Sequence, residues 1–75
     1  MLNNWEQSPN SKNVYRLKLE KFSGDIFLSE EIKKVQTWTW NIFDNVDRKY
    51  IASGKASSLE EACNEAEKAV RNAMV

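Results

Sequence analysis

The strongest constraint on this chain is a pair of segments with opposite side-chain sizes. Thr37-Trp-Thr-Trp-Asn-Ile-Phe43 places Trp38, Trp40 and Ile42 on one face by alternation, the period of a β-strand. From Ser58 to Val75, Leu59, Ala62, Cys63, Ala66, Ala69, Val70 and Ala73 recur at spacings of three and four, the period of a helix. Protein interiors pack at near-crystal density, so bulky groups on a sheet complement small ones on a helix. The two segments predict a sheet layer with a helix lying on it, and both indoles in the core between them.

The helix carries its own start signal. Ser57 and Ser58 precede Glu60 and Glu61 at capping-box spacing, and those carboxylates suit the positive end of a helix dipole, as Lys68 and Arg71 suit the negative end. Upstream, Tyr15, Leu17 and Leu19 alternate with Arg16, Lys18 and Glu20, which predicts a half-buried strand from Val14. Asn45-Val46-Asp47-Arg48 supplies turn residues, so Thr37–Asp44 and Tyr50–Ala56 read as an antiparallel hairpin. Gly54 inside the last strand indicates a bulge or a close approach of the helix. Between Ser23 and Gln36 two readings stand: Gly24-Asp25 marks a turn and Ser29-Glu30-Glu31 caps one helical turn, or Glu31–Gln36 extends the next strand backwards. Ile32 and Val35 fit both, so the choice stays open, with a preference for the first.

The expected fold is thus α+β: a two-layer β-β-β-α domain over 14–75, with a three-stranded antiparallel sheet and one C-terminal helix packed on one face. Residues 1–13 hold four Asn, two Ser and the only Pro, a composition that seldom packs, and read as a flexible N-terminal arm. Trp5 is the exception, large enough to dock on the domain or on a partner.

Size and charge narrow the function. Seventy-five residues make one domain. Eleven Lys plus Arg balance eleven Asp plus Glu, so no net field draws the molecule to nucleic acid or to an anionic membrane. Charge is nonetheless divided: residues 1–22 carry plus two and 58–75 carry minus two, an arrangement suited to a charged protein partner or to a second copy. A lone Cys63, the absence of an apolar leader in the first residues and the absence of a membrane-length apolar run together predict a cytoplasmic protein.

Catalytic groups are scarce. The chain has no His, and Cys63 sits on the apolar stripe of the helix, where a thiol is structural. Glu60 and Glu61 are neighbours that point about 100° apart on a helix, and capping accounts for them. Asp44 and Asp47 fall short of the six or more oxygens that calcium takes. Two glycines, Gly24 and Gly54, do not make a phosphate-binding loop. No catalytic residue, metal or cofactor is expected. The candidate binding surface is the sheet face turned away from the helix, with Arg16, Lys18, Thr37, Thr39, Asn41, Phe43 and Lys55. The expected partner is a protein, or a second copy that pairs through strand one or strand three as a sheet edge. The alternative is nucleic acid, with Arg16, Lys18 and Lys55 on phosphates and Phe43 stacking on a base.

The run Ala52-Ser-Gly-Lys-Ala-Ser-Ser-Leu-Glu-Glu-Ala-Cys-Asn-Glu-Ala-Glu-Lys-Ala69 resembles the last strand and helix of a double-stranded RNA-binding domain, over about a quarter of the chain. The resemblance implies a strand-then-helix ending. It does not extend to activity, because the family's phosphate-gripping lysines at the helix start are replaced here by Glu60 and Glu61, and Pro9 stands where a first helix would run. Trp38-x-Trp40 followed by Ala52-Ser-Gly and Ser58-x-x-Glu61-Ala62 also resembles small bacterial and bacteriophage proteins of unassigned chemistry. That likeness implies a phage or mobile-element accessory or inhibitor that occupies a partner's surface.

Overall fold

The computed structural model describes residues 5–74. Five strands precede one helix: β1 (Trp5–Gln7), β2 (Val14–Lys18), β3 (Phe22–Ile32), β4 (Val35–Asp44), β5 (Lys49–Ala56) and α1 (Leu59–Ala73). The sheet is an antiparallel meander in the order β1-β2-β3-β4-β5, and α1 lies against β3, β4 and β5. The α+β class, the hairpin of β4 with β5 and the single C-terminal helix on one sheet face agree with the sequence reading. The count of three strands does not.

One missing strand is β3. Phe22, Gly24, Ile26 and Leu28 alternate inward, and Gly24-Asp25 is no turn. Gly24 sits mid-strand because a Cβ there would stand 3.0 Å from Ile42 Cδ1 and 3.2 Å from Trp5 Cη2. Ser29 caps no helix either. It is the extra residue of a β-bulge between Leu28 and Glu30, and its hydroxyl donates to the Thr37 carbonyl at 2.9 Å. The other missing strand is β1, in the segment read as a polar arm. Trp5, Glu6 and Gln7 pair with Leu17, Arg16 and Tyr15, while residues 1–4 of that segment lie outside the described residues. β1 covers β2, so the first strand of the sequence reading is internal, while its third strand, here β5, is an edge as expected and β1 is the other.

The core is one cluster. Trp5, Leu17, Phe22, Ile26, Trp38, Trp40, Ile42 and Ala56 from the sheet meet Ala62, Cys63, Ala66 and Val70 from the helix. The alanine stripe lets the helix approach the indoles closely. All three indole N–H groups donate: Trp5 Nε1 to Glu67 at 3.0 Å, Trp40 Nε1 to Glu65 at 3.2 Å and Trp38 Nε1 to Gln36 at 3.1 Å. Glu65 and Glu67 are therefore half-buried acceptors on the flanks of the helix. Ser58 caps α1 as expected, its Oγ accepting from Glu61 N at 3.1 Å.

Candidate binding face

β-strand alternation sends Arg16 and Lys18 of β2, Ser23 and Asp25 of β3, and Asn41 and Phe43 of β4 to the face away from α1. One row across the sheet runs Glu6, Arg16, Asp25, Asn41 and Ser53 in register. Arg16 therefore stands between two carboxylates, and Asn41 Nδ2 donates to Asp25 Oδ1 at 3.0 Å. The next row runs Lys18, Ser23, Phe43 and Tyr50.

Tyr50 reaches this face through an irregularity. Between the pairs Ile42↔Ala52 and Phe43↔Tyr50 strand β5 carries one extra residue, Ile51, and the bulge reverses the alternation beyond it. Ile51 turns to the core, and the Tyr50 ring meets Phe43 edge to face, with centroids 5.1 Å apart and planes at 74°. Tyr50 is 65% exposed. Together the two rows form a concavity of about 710 Å³ in the open sheet face, lined by both charge signs and the aromatic pair.

Four of the seven residues picked out in the sequence, Arg16, Lys18, Asn41 and Phe43, line this concavity. Thr37, Thr39 and Lys55 share the face but lie outside it. Thr39 pairs with Lys55, and its hydroxyl donates to Ser29 Oγ at 2.8 Å, toward the β3–β4 turn. Sequence reading missed Glu6, Ser23, Asp25 and Tyr50, which also line it. The first three sit on the strands it overlooked. No local signal marks Tyr50, because only the bulge decides which way it points.

Cys63 is fully buried, and its thiol is pushed up to about 11 by desolvation and then by the Glu67 carboxylate. A thiol held neutral is a poor nucleophile. Among the described residues no helix is long and apolar enough to cross a membrane, and no three or more Cys, Asp or Glu gather as metal ligands. Compared with protein-family models, with curated proteins and with solved structures, the chain matches none.

Proposed function

We propose that the protein is a small, non-enzymatic protein-binding module that acts by occupying a partner's surface, and that it does so with the open face of its sheet. The observation that carries this reading is the concavity, where Lys18, Arg16, Asp25 and the Phe43–Tyr50 pair converge on regular strands. A rigid floor lowers the ordering cost of binding, and an exposed tyrosine among mixed charges is the composition of an interface anchor. A self-complementary dimer through this face is the homodimer version. The sheet edges suit a dimer less well, since β1 has three residues and β5 carries Lys49, Lys55 and a bulge. Nucleic acid is the weaker alternative, because Glu6 and Asp25 beside Arg16 repel phosphate.

Tyr50→Ala and Arg16→Glu, checked for folding by circular dichroism, test the reading in an affinity capture from the native host read by mass spectrometry. Loss of one captured protein with both variants supports it. Identical captures from wild type and both variants, together with a strictly monomeric mass by light scattering, would remove it. Titration of labelled oligonucleotides at low salt separates the nucleic-acid reading, since electrostatic binding is strongest there.

A further inference from the structure

The β3–β4 hairpin runs beyond the rest of the sheet. β2 stops pairing at Val14↔Phe27 and β5 at Trp38↔Ala56, so residues 29–37 pair only with one another as a two-stranded ribbon. Its two-residue turn is Lys33-Lys34, with φ of 50° and 68°. Both positions take the left-handed conformation that Asn-Gly fills most readily and that costs a lysine backbone strain. Just behind it Ile32 faces Val35, 57% and 67% exposed, on the side that continues the open sheet face.

The ribbon has two unlike sides. The helix side is closed by its own hydrogen bonds, with Gln36 Nε2 donating to Glu31 at 3.1 Å and Gln36 Oε1 accepting from Trp38. The open side presents the aliphatic pair. The opposite pole of the molecule is tied down instead: Asn45 N donates to the Lys21 carbonyl at 2.9 Å, and Asn45 Oδ1 accepts from Ser23 Oγ at 2.9 Å. The side-chain hydrogen bonds of the ribbon join its own residues or reach Trp38 and Thr39 at its base.

We infer that this ribbon tip is a recognition element that inserts Ile32 and Val35 into an apolar recess on a partner protein, with Lys33 and Lys34 meeting carboxylates on the rim of that recess. Charge selects this occupant. The tip's two lysines are balanced by Glu30 and Glu31, so it has no net attraction for a polyanion or an anionic bilayer. A local acidic rim sees the apex cations first, because the glutamates lie behind them. A turn pair that strains the backbone yet places two cations at the apex fits such a contact. The inference rests on the reading of the chain as a protein-binding module, but it concerns a contact separate from the concavity.

The test replaces Val35 with photoreactive p-benzoylphenylalanine in the full chain, with Val46, 71% exposed at the other pole, as the control position. Irradiation in the native host is expected to give one adduct from position 35 and none from 46, and the adducted partner peptide is expected to hold Asp or Glu beside aliphatic residues. Lys33→Glu with Lys34→Glu should lower its yield at least fivefold. Lys33→Asn with Lys34→Gly should lower it equally while raising the melting temperature, which separates the charges from the turn. Overturning results are no adduct at 35, equal adducts at both positions, an adduct of the chain with its own copy, or a yield indifferent to both lysine variants. Binding of phosphatidylserine vesicles or duplex DNA that the same charge reversal abolishes would also overturn it. If Tyr50→Ala abolishes capture while the lysine variants leave the adduct intact, the concavity reading survives and the ribbon inference falls.

Discussion

Gly54 stays small because Trp40 lies across it. A Cβ at Gly54 would stand 2.7 Å from Trp40 Cζ2 and 2.8 Å from Cε2 and Nε1, and that ring is pinned by Glu65 and by the helix. Gly54→Ala is expected to destabilise the protein by about 1–3 kcal/mol, the range for overpacking a filled core, as a lower urea midpoint at unchanged slope. Cys63 makes a second residue-scale prediction. An unfolded thiol ionises around 9.0 and the folded one at about 11, so its contribution to stability is complete below pH 9 and is lost as pH rises toward 11. Urea titrations across that window should show a steeper decline for the wild type than for Cys63→Ala. The sequence already placed Cys63 in the core, since its position on the helical stripe needs only local periodicity. The glycine at 54 was legible as a close approach, but what approaches is an indole from the neighbouring strand.

Elements were legible where their period was regular and their ends were capped. α1 begins at its serine cap as read, and β4 follows its aromatic alternation. β3 was hidden because Gly24, Asp25 and Ser29 have strong turn and cap preferences, which here are overridden by pairing with β2 and β4 on both sides. The β3–β4 turn was hidden for the converse reason: Lys33-Lys34 lacks the asparagine and glycine that announce a turn of this type. Left-handed backbone costs a side-chain-bearing residue about 1–2 kcal/mol. Lys33→Asn with Lys34→Gly is therefore expected to raise stability by about 1–3 kcal/mol, or several degrees in melting temperature for a domain of this size, measured by circular dichroism.

At the scale of the molecule, one helix is too narrow to roof five strands. α1 covers β3, β4 and β5, and beyond its edge Trp5 completes the core, packed against Gly24 and joined through Nε1 to Glu67 on the helix. Trp5→Ala is expected to cost about 3–5 kcal/mol, as for other buried aromatics, and to speed hydrogen exchange in β1 and β2 before the rest of the sheet. Unchanged stability in that variant would show that β1 contributes nothing to the core. Four of the concavity's residues could be read from the sequence, because alternation alone assigns a side chain to one face of a strand. The sequence by itself determined the class of the fold, the indole-on-alanine core and the capped terminal helix, all of which follow from periods of two and 3.6 within single segments. Only the tertiary structure decided that the sheet has five strands, that Tyr50 turns outward, and that Glu65 and Glu67 accept indole protons. Those outcomes depend on pairing register, bulges and packing between residues far apart in the chain, where the stabilising neighbour is absent from any local window.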